Sequence, residues 1–497
     1  MGYYEEGEQY FLHAYGRYDT VLDHGEGVYL YDTEGNKYLD FYSGIGVNSL
    51  GYGYPAYVEA VEKQLKTLTH VSNYFYTVPA IEAAKKVVEA TRLSKVFFCN
   101  SGAEATEGAL KLARKYYFLK HHKADSEVIA FHHSFHGRTT GSVKLTGNAH
   151  YQQAFGPLME GVKYATLNDL ESVKALLTDR TGAIIVEPVQ GEGGVNPCTK
   201  EFLQGLRQIC DEKDICLILD EVQCGMGRTG TIMTYFQYDI LPDIVCLAKG
   251  IGCGVPVGAF VANAKFAKAM EPGDHGSTYG GNPFVTAAVS TVFDILKKDS
   301  IVENCREVSE YLLEELDKVV EDYDCVVGHR GLGLMQGIVL NVPAKKYVQA
   351  LLDEGVIVVT AGEKVIRLLP PLVITKEHVD EFITKIDVMD QNLVLQYGAK
   401  AQNKISAFSD NILEDVKTKD IGDTGELLAN LVGEIKSFNS SIGTSKKGIF
   451  KLFNSAKKEI STIIAKYNKI EKNVDIIENN LEKNKVTLLK DIALFDT

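Results

Sequence analysis

The chain has 497 residues, 45% of them hydrophobic and 24% charged, and a formal net charge of −14. That length exceeds what one hydrophobic core supports, so two or three domains are expected. The acidic balance argues against nucleic acid or an anionic membrane surface as partner, and no apolar run approaches transmembrane length.

The N-terminus, Met1 to Glu8, is acidic and lacks the basic and apolar regions of a signal peptide. The nine cysteines show no C-x-x-C spacing, and Cys216 and Cys246 fall in apolar strands. They read as reduced core thiols of a cytoplasmic protein, with neither disulfides nor zinc.

In chain order, residues 1–54 read as strands and turns. Gly25–Asp32 followed by Gly35–Asp40 predicts a hairpin about the turn Glu34-Gly35-Asn36. From 55 to 275 helices and strands alternate, with helices near 56–67 and 103–118 and strands at 95–99, 127–131, 182–187 and 215–220. That pattern predicts a mostly parallel sheet in an α/β domain. From 283 to 388 the order is a long helix, Gly-rich strands between Gly328 and Leu340, a helix, a strand and a closing helix, which suggests a smaller α+β domain. The resulting boundaries are 1–54 with the small domain, 55–275 as the large domain, 276–388 as the small domain and 389–497 as an α-helical extension. Beyond 390 there is no proline, cysteine, histidine or arginine, while lysine is frequent. Apolar residues at heptad spacing over 457–493, from Ile460 to Leu488, predict an amphipathic helix, with 437–448 as a loop.

Chemistry gathers at strand ends. Asn100-Ser101-Gly102-Ala103-Glu104 follows one strand and opens a helix, where small residues let backbone N–H groups approach a phosphate. An N-cap turn without a ligand has the same sequence. His132 to Thr139 follows another strand. His132 and His136 have ligand spacing, but no acid or cysteine nearby completes a metal set. Phe135 suits a flat cofactor, and Arg138 a carboxylate. Leu217-Ile218-Leu219-Asp220-Glu221-Val222-Gln223 and Ile244-Val245-Cys246-Leu247-Ala248-Lys249-Gly250 are apolar strands that end in Asp220 and Lys249. Open α/β sheets place their ligands at such ends. A Walker-type reading of Asp220-Glu221 needs a G-x-x-x-x-G-K-[ST] loop, which is missing from the sequence. An aldehyde cofactor such as pyridoxal phosphate needs a Schiff-base lysine, a carboxylate for its ring nitrogen and a phosphate cradle. Lys249, Asp220 and the 100–104 turn offer these, and Gln223 could reach the ring's phenolic oxygen.

These residues carry a resemblance. Leu39 to Phe41, Asn48 to Gly51, His70 to Asn73, Phe98 to Glu104, Phe135 to Thr139, Glu187 to Gly194, Asp220 to Gln223, Ala248 to Gly250, His275 to Pro283 and Ile366 to Pro371 together resemble class III aminotransferases, in particular the acetylornithine branch. The match runs in order over about 1–388. It implies a PLP-dependent transferase of fold type I, an α/β fold with a large mostly parallel-sheet domain and a small α+β domain. It also implies a homodimer with shared active sites. Lys249 would hold pyridoxal 5'-phosphate and move the proton. Ser101, Gly102 and Ala103 would bind the phosphate, and Thr278 would do so from the neighbouring subunit. Phe135 and Val222 would sandwich the ring. Arg138 and Ser277 would hold the amino donor. Arg367 would receive the α-carboxylate of glutamate or 2-oxoglutarate, and Glu192 would mask Arg367 while a terminal amine reacts. A plain structural salt bridge would use the same two residues. Tyr52 and Tyr54 stand where histidines are common, and Thr106 where asparagine is. These departures leave ornithine, succinylornithine and 4-aminobutyrate as alternative donors.

Tyr397 to Gln402, Phe408 to Asp410, Val416 to Gly422 and Leu488 to Ile492 are similar to the N-terminal part of the toxic-anion (tellurite) resistance TelA-like family. This suggests an enzyme fused to a truncated helical module with an unknown partner. A non-catalytic stress-response module carrying an inert aminotransferase body is the contrasting reading.

Overall fold

The computed structural model describes residues 2–386. The expectations for the 437–448 loop, the 457–493 helix and the rest of the C-terminal segment lie outside these residues.

Three runs, Glu127–Phe131, Thr181–Val186 and Cys216–Asp220, are buried along their whole length. Continuous apolar strands of this kind suit a sheet covered on both faces. They form the centre of a seven-stranded sheet in the order Lys95–Cys99, Gly258–Ala262, Ile244–Leu247, Cys216–Asp220, Thr181–Val186, Glu127–Phe131, Val162–Ala165. Gly258–Ala262 runs antiparallel to both neighbours, while the remaining pairs are parallel. The C-terminal ends of the 95–99, 127–131, 216–220 and 244–247 strands therefore share one edge of the sheet.

The helix Gly102–His121 packs its Ala105, Ala109, Leu112 and Ala113 face into the core. Gly108 lets it approach the sheet closely, because a Cβ there would lie 2.2 Å from the Phe260 ring.

Two four-stranded sheets and a two-stranded one, Val189–Gln190 with Asn196–Pro197, accompany the large sheet. One of the four-stranded sheets joins Leu22–Glu26, Tyr29–Asp32 and Lys37–Asp40 to Val356–Ile357, so the N-terminal strands pair with a late segment. The other is antiparallel: Val326–Leu332, Met335–Leu340, Val365–Leu368, Val359–Thr360.

Three local expectations differ from the structure. Gly25–Asp32 is two strands, because Gly27 turns the chain with φ +59°. The next turn sits where expected, with Glu34 and Asn36 N–H groups donating to Asp32 Oδ1 at 3.0 and 2.8 Å. The long helix after 283 is two helices, Pro283–Lys298 and Ile301–Asp322, broken where Ser300 takes φ +53°. The first of them packs on Pro55–Thr67 and Val78–Thr91 of the preceding segment, whereas the second packs on Val326–Leu332 and Lys376–Lys385. Finally, the strand leading to Lys249 stops at Leu247, and Lys249 opens a tight 3₁₀ turn with φ +50°.

All nine cysteines are buried, and none of them is in a disulfide. Among the described residues no helix is long and apolar enough to cross a membrane.

Candidate active site

A cavity of about 480 Å³ opens at the shared edge of the large sheet. It is lined by Ser101, Gly102, Ala103, Phe135, Arg138, Glu192, Asp220, Val222, Gln223 and Lys249, all anticipated from the sequence. Arg367 joins them through Glu192 and Gln223.

Each wall has a local cause. Ser101 caps the Gly102–His121 helix, its Oγ accepting from Glu104 N–H at 3.2 Å. The N–H groups of Gly102 and Ala103 fall in the first turn, where no intrahelical acceptor exists, so they suit an anion. Gly102 is needed for space: a Cβ would lie 2.9 Å from Val222 Cγ1. Phe135 and Val222, from different strand ends, both border the cavity.

Asp220 is held rigidly. Its Oδ1 accepts from Val222 N–H at 3.0 Å, and its Oδ2 lies 2.7 Å from His136 Nδ1. Burial disfavours a charged His136, but the bond to Asp220 outweighs it and raises the imidazole pKa. The pairing therefore favours the protonated imidazole beside Asp220, which borders the cavity. Glu187 also borders the cavity. Burial pushes its pKa up to about 7, although Phe135 N–H donates to Oε1 at 2.9 Å.

Lys249 keeps part of its surface open to the cavity. Desolvation pulls its pKa down to about 8, against the opposing pull of Glu192. A buried amine near neutrality can act as nucleophile and base.

At the other end Glu192 and Arg367 form a bidentate pair, Nη1 to Oε1 at 2.6 Å and Nη2 to Oε2 at 3.1 Å. Arg367 is almost fully buried on the Val365–Leu368 strand. Burial tends to raise the Glu192 pKa, but Arg367 outweighs it and holds the carboxyl below its ordinary value.

Arg138 is exposed and lies over the Tyr151 ring, its Cζ 3.7 Å from the centroid. Among the described residues no acid pairs with it. Ser277 and Thr278 are outside this chain's cavity. Ser277 Oγ accepts from Asn100 Nδ2 at 3.2 Å and from Gly280 N–H at 2.9 Å, and Thr278 is exposed.

Sequence reasoning assigned no role to Glu187 or Tyr151, and considered His136 only as a metal ligand. The signal that could have exposed the His136–Asp220 pair is that both follow buried strand ends on one sheet edge.

The residues fit pyridoxal phosphate: a neutral-ready lysine, a fixed carboxylate, two flanking apolar faces and a helix N-terminus kept open by Gly102. A mostly parallel sheet with this constellation at its edge points to a pyridoxal-phosphate-dependent enzyme. Residues 10–389 match the family model Aminotransferase class-III, and the chain belongs to that family. It is 45% identical over 384 residues to the acetylornithine aminotransferase of Methanocaldococcus jannaschii, covering 76% of this chain and 96% of that protein. Among solved structures, the ornithine aminotransferase of Toxoplasma gondii, with partial occupancy of PLP at its active site, superposes with a TM-score of 0.75 at 29% identity, covering 78% and 93% of the two chains. The N-acetylornithine aminotransferase of Stenotrophomonas maltophilia superposes with a TM-score of 0.68 at 32% identity, covering 79% and 99%. Residues 379–497 match the model of the toxic anion resistance protein (TelA), overlapping the first match at 379–389.

Proposed function

We propose that this aminotransferase moves the terminal amine of N2-acetyl-L-ornithine to 2-oxoglutarate, giving N-acetyl-L-glutamate 5-semialdehyde and L-glutamate. The observation that carries the reading is the closed Glu192–Arg367 pair beside Lys249 in a chain so similar to acetylornithine aminotransferases. Pyridoxal 5'-phosphate, when bound, supplies an aldehyde for the amine and a ring that withdraws electrons from it.

The chain's own residues do the rest. Ser101, Gly102 and Ala103 hold the phosphate, joined by Thr278 of the second subunit of a homodimer. Phe135 and Val222 fix the ring plane. Asp220, backed by His136, would hold a proton on the ring nitrogen, and Gln223 would lie within reach of the ring oxygen. Lys249 Nζ would be the amine that holds the cofactor's aldehyde, and the base placed to move the proton at the donor carbon. Arg138 receives the donor's carboxylate, with Ser277 contributed across the dimer. Glu192 covers Arg367 while the donor reacts, and withdraws when the α-carboxylate of 2-oxoglutarate arrives.

A homodimer is supported by the apolar surface this chain leaves exposed: Tyr74, Phe75 and Tyr76 are 93%, 71% and 95% exposed, and Tyr279 is 64% exposed. An aromatic run this open is costly unless a partner covers it. The domain organisation proposed is a small domain built from 1–54 and 276–388, a large one from 55–275 and a helical module over 389–497.

A donor panel with 2-oxoglutarate as acceptor tests the reading. N-acetylornithine should give the highest kcat/KM. A clear preference for free ornithine, succinylornithine or 4-aminobutyrate would move the assignment to that donor.

A further inference from the structure

Gln223 has both ends of its amide engaged by the carboxylate pair. Arg367 Nη1 donates to Gln223 Oε1 at 3.1 Å, and Gln223 Nε2 donates to Glu192 Oε1 at 3.3 Å. With the 2.6 Å bond from Arg367 Nη1 to Glu192 Oε1, these close a ring of three hydrogen bonds. The amide orientation follows from chemistry. Turned over, its NH₂ would face a guanidinium and its oxygen a carboxylate, losing both bonds. The side chain is buried, and its place depends on Gly191, where a Cβ would lie 2.1 Å from Gln223 Oε1. Gly191 is also the residue next to Glu192, so one turn both admits the amide and presents the acid.

We propose that Gln223 is the latch of the Glu192–Arg367 pair: it holds Glu192 on Arg367 and so sets how readily a dicarboxylate displaces that acid. The proposal rests on the reading of Arg367 as the site of the α-carboxylate. Two of the three bonds in the ring need Gln223, and both are to ionised groups, the stronger kind of hydrogen bond. The departure of Glu192 breaks the bond from Gln223 Nε2 to its Oε1, so the amide favours the closed arrangement over the open one. Gln223 is thus a positioning residue that divides the enzyme's preference between its two substrates.

The test is calorimetric binding of glutarate, a dicarboxylate with no amine or keto group, to the holoenzyme. Gln223→Leu should bind glutarate about three- to tenfold more tightly, and Gln223→Met should show the same sign. Glu192→Ala, which removes the covering acid, should bind it tighter by about tenfold or more. Adding Gln223→Leu to Glu192→Ala should give no further gain, because the latch then has nothing to hold. KM for 2-oxoglutarate should fall in Gln223→Leu while KM for the amine donor does not. Weaker glutarate binding in both Gln223 variants, or the same gain with and without Glu192, would overturn the latch and leave Gln223 as a direct ligand contact. Glutarate binding indifferent to Arg367→Ala would overturn the carboxylate role of Arg367 itself, and the latch with it.

Discussion

The two ends of the cavity are built on different principles. At the end proposed for the cofactor, each group is fixed by the large sheet: Asp220 by Val222 and His136, the Gly102–Ala103 N–H groups by a capped helix, Lys249 by a tight turn. At the carboxylate end, Glu192, Gln223 and Arg367 satisfy one another, and the arrangement is complete without a ligand. The first end is preorganised and gains by rigidity. The second must exchange partners, because one buried guanidinium cannot stand uncompensated between substrates. Breaking a group at the first end should therefore lower both half-reactions together, while breaking one at the second should separate them.

The largest effect is expected from Lys249→Ala. No other amine borders the cavity among the described residues, so the visible band of the bound cofactor should change and turnover should fall by about 10²–10⁴ or more in both half-reactions. Wild-type turnover in that variant would sink the mechanism. Arg367→Ala comes next. It should cost the 2-oxoglutarate half-reaction about ten- to a hundredfold in kcat/KM, since a charged hydrogen bond contributes roughly 1.5–3 kcal/mol, and the donor half-reaction much less. Equal losses in single-turnover measurements of the two halves would remove the distinction between the two ends.

The same contrast governs what was legible in the sequence. The end proposed for the cofactor could be read from first principles, because Asp220 ends an apolar strand, Lys249 and Gly102 each follow one, and strand ends of a parallel sheet converge. The strands 95–99, 127–131 and 216–220 stood within a residue of their predicted places, and the helix 102–121 began one residue earlier and ended three residues later than predicted. The carboxylate end could not be read that way. Glu192 and Arg367 are 175 positions apart, and their meeting depends on how the 365–368 strand is set against the 187–194 turn. Only the family resemblance paired them. Backbone reversals were also hidden: neither Ser300 nor Lys249 is a residue type that announces a positive φ. The pairing of His136 with Asp220 was obscured by a cluster of histidines that suggested metal.

A smaller and graded effect is expected with pH. Burial lowers the Lys249 pKa to about 8 from the ordinary lysine value. In cofactor-free protein the neutral amine is the reactive form, so the rate at which added pyridoxal phosphate develops its visible band should rise about tenfold per unit below pH 8 and level off above it. The linkage has a matching sign. Between about 8 and the unfolded lysine value the unfolded chain binds the extra proton, so this group's contribution to stability grows as pH rises through that window and is lost as pH falls through 8. A midpoint near the ordinary lysine value in both rate and stability profiles would mean that the amine is solvated and the cofactor end is less preorganised than its geometry indicates.

The smallest effect is expected from removing the C-terminal segment. Every residue at both ends of the cavity precedes position 368, and the aminotransferase match ends at 389. The last described helix, Lys376–Lys385, buries Val379 and Phe382, and Phe382 stacks on Phe41 with centroids 4.4 Å apart. A chain ending at Met389 keeps that closing contact. Residues 390–497 contain no histidine, cysteine or arginine, so they offer few groups for chemistry. Deleting them should leave kcat/KM for both substrates within about twofold, since substitutions away from core and site features usually shift stability by under ~0.5 kcal/mol. Sedimentation of the shortened chain should match the full chain after allowing for the lost mass. Loss of cofactor binding on truncation would show that the TelA-like segment is part of the enzyme. A change confined to the 2-oxoglutarate half-reaction would be sharper, placing its influence at the exchangeable end of the cavity alone.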